Sequence, residues 1–180
     1  MKELLKKMKE EGKYVALYLD RNKQTRFNYC CVIGVDDTHF AVRQITEDGE
    51  DDGYSVYPID RLYRINYKDQ YEEKMHKLMQ SHEILPPIQI PDDCEIMSTM
   101  LHKAMDNGRV VMVELDDSGY ADLYGIPRKI DKDKCTFEVY DDYGCADGYS
   151  ILNMSDITQI NVADADERRI EQLMKYNVTQ

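Results

Sequence analysis

Tryptophan is absent from this chain of 180 residues, phenylalanine occurs three times, proline five times, and basic residues are outnumbered by acidic ones, 23 to 35. Each shortage excludes something. A net charge of −12 and a pI near 4.7 rule out a broad cationic coat for nucleic acid, because phosphate attraction needs a basic face. No apolar run approaches the roughly 20 residues that span a bilayer. The opening MKELLKKMKEEGK reads as a charged amphipathic helix, not a secretory signal. Five cysteines, an odd number at no metal or redox spacing, suit reduced thiols, so a soluble cytoplasmic protein without a membrane partner is expected. What is present is the composition of a folded protein: 42% hydrophobic residues, 14 Tyr and 10 Met, which excludes disorder and low complexity.

The chain resembles itself. The stretch Asp48-Gly49-Glu50-Asp51-Asp52-Gly53-Tyr54-Ser55 returns as Tyr143-Gly144-Cys145-Ala146-Asp147-Gly148-Tyr149-Ser150. Glu72, Leu78 and Met79 return at the same offset as Glu167, Leu173 and Met174. Upstream, Gly12, Val15, Leu19 and Asp20 match Gly108, Val111, Leu115 and Asp116. The ordered set spanning both halves reads as a tandem duplication. Copy one is expected over 1–80, a linker over 81–92 and copy two over 93–180. Pro86, Pro87 and Pro91 make the joint extended, with Ile84, Leu85, Ile88 and Ile90 lying along a domain surface.

Each copy predicts the same elements. A helix over 2–11 carries Leu4, Leu5 and Met8 on one face, and its counterpart over 93–106 carries Met97, Met100, Leu101 and Ala104. Asp92 or Asp93 is placed to cap the second, and Asn107-Gly108 to end it. Alternation at Val15, Leu17 and Leu19, and at Val111, Val113 and Leu115, marks a first strand. Strands follow over 28–35 and 39–45, then 54–58 and 62–67 beyond an acidic glycine loop; the second copy has 123–130, 134–140, 149–153 and 157–162. Closing helices are expected over 69–80 and 164–176. Helix, five short strands and helix, twice over, predict a mainly β protein of two small five-stranded barrels.

The residues Leu5-Lys6-Lys7-Met8-Lys9-Glu10-Glu11-Gly12-Lys13-Tyr14-Val15-Ala16-Leu17-Tyr18-Leu19 resemble the helix and first strand of the Sm-like family, in its bacterial RNA-chaperone branch. Val35 to Val42 resembles that family's turn between second and third strands, and Tyr54 to Tyr57 with Leu62 to Ile65 its last two strands. The resemblance covers about 60 residues of each copy. It implies Sm-like barrels and RNA as a partner. The family's Lys-His pair after the fourth-strand tyrosine is replaced here by Pro58-Ile59, and in copy two Leu152 is followed by Asn153-Met154.

Catalytic groups do not converge. His39, His76, His82 and His102 fall on different elements, and Cys30 and Cys31, adjacent in a strand, point to opposite faces. Cys135 aligns with Phe40 and reads as core. The stretch from Asp48 begins like a calcium loop, but its twelfth position is Ile59, and Tyr143 and Cys145 occupy ligand positions in copy two. No enzyme activity, cofactor or metal is expected.

Charge is unevenly divided. Residues 1–90 hold 14 Lys+Arg against 16 Asp+Glu, and residues 91–180 hold 9 against 19. Copy one has basic clusters at Lys2, Lys6, Lys7, Lys9 and Lys13, at Arg21, Lys23 and Arg26, and at Arg61 and Arg64, with Tyr57, Tyr63 and Tyr67 close to the last pair. A non-enzymatic binding module is expected, with weak RNA contact through Arg21, Lys23, Arg26, Arg61, Arg64 and Tyr63. The alternative is a protein-interaction or assembly module without nucleic-acid binding, its acidic copy facing a partner or another subunit of a homo-oligomer.

Overall fold

The computed structural model describes every residue except 83, 85–87, 89, 92–93 and 179–180. The chain divides into two compact units, Met1–Ile96 and Met97–Gln180. Leu85, Pro86 and Pro87, and the expected caps Asp92 and Asp93, lie outside the described residues.

The first unit opens with helix α1 (Lys2–Glu10), which buries Leu5 and Met8. Gly12 ends it with φ +59, its N–H reaching Lys9 O at 3.0 Å while Lys13 N reaches Met8 O at 3.2 Å. A residue with a Cβ resists that left-handed conformation, so the glycine marks the stop. Strands β1 (Tyr14–Tyr18), β2 (Asn28–Val35), β3 (His39–Ile45), β4 (Asp51–Pro58) and β5 (Arg64–Asn66) follow, with a 3-10 turn (Ile59–Arg61) before β5. Helix α2 (Gln70–Met79) closes the unit, capped by Asp69, whose carboxylate accepts from Glu72 N at 3.0 Å.

Both faces of this sheet are buried. Leu5 and Met8 join Val15, Leu17, Cys30, Val32, Phe40, Val42 and Tyr57 on one side. Ala16, Tyr18, Tyr29, Ile45 and Met75, with Tyr71 and Ile84 against them, form the other. The aromatic residues between the aliphatic ones of β1 are therefore core, facing α2. The β2–β3 turn is held by Asp36: its Oδ1 accepts from Thr38 N (2.7 Å) and His39 N (2.6 Å), its Oδ2 from Ile96 N (2.7 Å). Burial alone would raise its carboxyl, yet these amides hold it below the ordinary value.

The second unit repeats the element order: α3 (Ile96–Asp106), β6 (Val111–Leu115), β7 (Leu123–Ile130), β8 (Lys134–Tyr140), β9 (Ala146–Asn153), a 3-10 turn (Met154–Asp156), β10 (Ile157–Val162) and α4 (Ala165–Val178). Pro127 sits inside β7, where a regular strand would lose a ladder hydrogen bond, at a register shift between Pro127 and Lys129. Val110, Ile126 and Ile170 form a buried cluster with Tyr124, Tyr140 and Met174 against it.

Two closed Sm-like barrels are not what forms. The β-structure is open antiparallel sheet. In the first unit the order is β5-β1-β2-β3-β4, and in the second β10-β6-β7-β8-β9; among the described residues neither β4 with β5 nor β9 with β10 is paired. β5 reaches β1 instead (Ala16↔Asn66, Leu17↔Ile65, Tyr18↔Arg64), and β10 reaches β6. Period-two alternation is identical in an open and a closed sheet, whereas closure demands matched tilt and stagger, which in the first unit a three-residue β5 does not supply. β4 and β9 also start three residues before the expected 54 and 149. Register shifts between Arg43 and Ile45, and between Glu138 and Tyr140, let the second half of each glycine loop pair. No helix among the described residues is long and apolar enough to cross a membrane.

Candidate nucleic-acid interface

Five of the six residues singled out by charge and aromaticity lie around the β1–β2 connection and β5. The connection turns twice. Asn22 N donates to Asp20 Oδ1 at 2.8 Å and Lys23 N to Asp20 O at 3.2 Å; Arg26 N then donates to Lys23 O at 2.8 Å. Arg21, Lys23 and Arg26 are exposed on these turns, and neither Lys23 nor Arg26 has an ion-pair partner among the described residues.

Pairing of β5 with β1 supplies the rest. Tyr63 N donates to Tyr18 O at 3.2 Å, and the Tyr63 hydroxyl donates to Asp20 O at 3.4 Å. The Arg21 guanidinium lies 5.0 Å from the Tyr63 ring centre, and that of Arg64 lies 4.4 Å from the Tyr18 ring centre. The Tyr18 and Tyr63 rings meet edge to face at 6.2 Å, and Phe27 is 5.5 Å from Tyr18. Arg64 Nε also donates to Asn66 Oδ1 (2.9 Å), whose Nδ2 donates to the Tyr18 hydroxyl (3.2 Å). Two guanidinium groups thus sit over adjacent tyrosines, Arg21 over the half-buried Tyr63 and Arg64 over the buried Tyr18.

Arg61 stands apart, half-buried on the 3-10 turn and already engaged. Tyr57 is core: it is 5% exposed, and its hydroxyl meets Gln44 Nε2 at 2.7 Å and Asn28 Nδ2 at 3.1 Å. Burial pushes its phenol well above the ordinary value. Tyr67 is exposed and Lys2 pairs with Asp37. Tyr18, which the sequence does not single out, is 7% exposed, and its place opposite Arg64 follows only from the β1–β5 register.

The histidines remain dispersed. His39 is bonded to Thr38 Oγ1 (2.9 Å), and burial lowers its pKa; His102 lies on α3 and meets Ser98 O at 2.8 Å; His82 approaches Glu50 at 3.8 Å. Cys30, Cys31 and Cys135 are buried and burial raises each thiol, that of Cys135 to about 12. Among the described residues no group of three His, Cys, Asp or Glu is arranged to hold a metal. In the glycine loop Asp51 is committed to Arg43 Nε at 3.2 Å and to Gly53 N at 3.1 Å. No protein-family model, no curated protein and no solved structure matches this chain.

Proposed function

We propose that the protein is a non-enzymatic binding protein, a divergent relative of the Sm-like proteins by tandem duplication, whose first unit contacts single-stranded RNA. The face is Arg21, Lys23, Arg26, Arg64 and Tyr63, with Tyr18 beneath Arg64. The observation carrying this reading is the pair of guanidinium groups on adjoining rings, Arg21 on Tyr63 and Arg64 on Tyr18. A flat cation already seated on an aromatic ring offers its other face to a base, and Lys23 and Arg26 are within the same loop for phosphate. Arg61 is left out of the face because it is otherwise engaged.

Four cations release few counterions, so binding is weak and its salt dependence moderate, with a log–log slope of about −0.7 per phosphate neutralised on a single strand. Titration of labelled uridine-rich RNA at low and moderate salt tests the reading. Affinity should fall with salt, weaken roughly threefold to fivefold in Arg21→Ala and in Arg64→Ala, and stay unchanged in Arg61→Ala. Absence of binding at about micromolar protein in low salt removes it.

A further inference from the structure

The fourth strand of each unit meets a different fate. In β4, Val56 and Tyr57 are 0% and 5% exposed. In β9, Tyr149 and Ile151, which stand at the places of Tyr54 and Val56, are 70% and 67% exposed. Tyr143, in the turn leading into β9, is 76% exposed. Among the described residues β9 pairs with β8 alone, so its outer edge presents unpaired backbone groups. Past Gly148 (φ +83) the strand runs without interruption, Tyr149 opposite Glu138, Ser150 opposite Phe137, Ile151 opposite Thr136, Leu152 opposite Cys135 and Asn153 opposite Lys134.

An edge of this kind is normally blunted by charge, proline, brevity or a bulge, because it templates pairing with another strand. The edge strand β5 is blunted in two ways: it has three residues, and Arg64 is exposed on it. From Tyr149 to Asn153 the β9 edge has no charge and no proline. It has the length of an ordinary strand.

Carboxylates flank it. Asp142 and Asp147 are exposed before Tyr149, and Asp156 follows at the other end, where bonds from Asn153 Nδ2 (2.7 Å) and Ser155 Oγ (2.9 Å) hold its carboxyl below the ordinary value. Lys134, opposite Asn153, is a basic neighbour at that end. Over residues 91–180 the 19 acidic groups outweigh the 9 basic ones. We propose that β9 is a docking edge for an extended, basic segment of a partner protein, which adds a strand beside Tyr149–Asn153. Its backbone would satisfy the open ladder, apolar side chains would cover Tyr149 and Ile151, and lysines or arginines would meet Asp142, Asp147 and Asp156. This goes beyond RNA binding, lies on different residues, and stands whether or not RNA is bound.

The test uses the full chain and three labelled probes read by fluorescence anisotropy: short peptides alternating lysine with valine, glutamate with valine, and lysine with serine. The lysine–valine peptide is expected to bind and the other two to bind far more weakly. Ile151→Lys should weaken it roughly tenfold by removing a cross-strand apolar pair and adding a like charge. Circular dichroism should be unchanged, since the Ile151 side chain is exposed. Equal binding of lysine–valine and lysine–serine peptides would overturn the proposal, leaving general charge attraction. So would no binding at millimolar peptide, or binding indifferent to Ile151→Lys. Light scattering that shows self-association abolished by Ile151→Lys would overturn it in favour of a second copy of this chain on the edge.

Discussion

Glu167 Oε2 accepts a hydrogen bond from Asp164 N at 2.8 Å, while Asp164 Oδ1 accepts one from Glu167 N at 3.4 Å. The pair is a reciprocal cap at the start of α4. In the first unit Asp69 caps Glu72 N in the same way, but Glu72 is only half-buried and accepts from Lys68 N, not from the cap residue itself. Glu167 is fully buried, and its Oε1 has no hydrogen-bond partner among the described residues.

That burial gives stability a pH dependence. Desolvation first, and then the Asp164 carboxylate beside it, push the Glu167 carboxyl up to about 9 from an ordinary 4.5, with Asp166 adding to the shift. The folded chain therefore keeps a proton that the unfolded chain releases. This group's contribution is full below about pH 4.5 and declines as pH rises toward 9. Glu167→Gln, neutral throughout, should raise Tm at pH 8 by a few degrees and flatten the fall in Tm between pH 6 and 9, measured by thermal melts. A variant that melts lower than the parent at pH 8 contradicts this account.

Arg43 is 1% exposed, and its partner Asp51 is partly exposed. Removing the carboxylate leaves a buried guanidinium short of an acceptor, so Asp51→Ala should cost about 2 kcal/mol in urea unfolding. Arg43→Met, which removes the buried charge and keeps the volume, should cost less than Asp51→Ala. The reverse ranking would show that Arg43's other partners, not Asp51, compensate its charge.

Two glycines lie against closing helices. A Cβ on Gly49 (φ +88) would meet Leu78 C and Met79 N at 2.9 Å, and one on Gly144 (φ +72) would meet Met174 N at 2.6 Å. Backbone cannot yield as a side-chain tip can, so Gly49→Ala and Gly144→Ala should each cost more than about 2 kcal/mol. Gly12→Ala, at φ +59 with nothing within 4 Å, should cost only about 1 kcal/mol. Equal destabilisation by all three would mean that φ alone matters.

Thiol reactivity follows burial. Cys145 is exposed and Cys94 half-buried, whereas Cys30, Cys31 and Cys135 are buried with raised thiols. An aromatic disulfide reagent should label Cys145 first and Cys94 next in the folded protein, and the other three only on unfolding. Early labelling of Cys30 contradicts the packing of β2.

For RNA, each cation lost from the Arg21, Lys23, Arg26 and Arg64 set should lower the slope of log affinity against log salt by about 0.7. Tyr63→Phe, which keeps the ring under Arg21, should bind nearly as the parent does, and Tyr63→Leu should bind less well. Equal loss in both would assign the effect to the hydroxyl bond to Asp20 O.

Local chemistry carried a large part of the fold into the sequence. Gly12 and Gly108 end α1 and α3 because the left-handed conformation there favours glycine. The alternation of Val15 and Leu17, and of Val111 and Val113, marks buried strand faces, and Asp69 stands where α2 begins. These are choices a few neighbouring residues make together. The proximity of Arg21 and Tyr63 was half legible, since both flank the first and last strands of one unit. Tyr18 beneath Arg64 was not, because the register of β5 on β1 belongs to no local pattern. Likewise, strand periodicity is blind to whether end strands meet, so only the tertiary structure made the sheets open. The same blindness hid the contrast between Val56, buried, and Ile151, bare: two similar residues in matching places, separated by what packs around them.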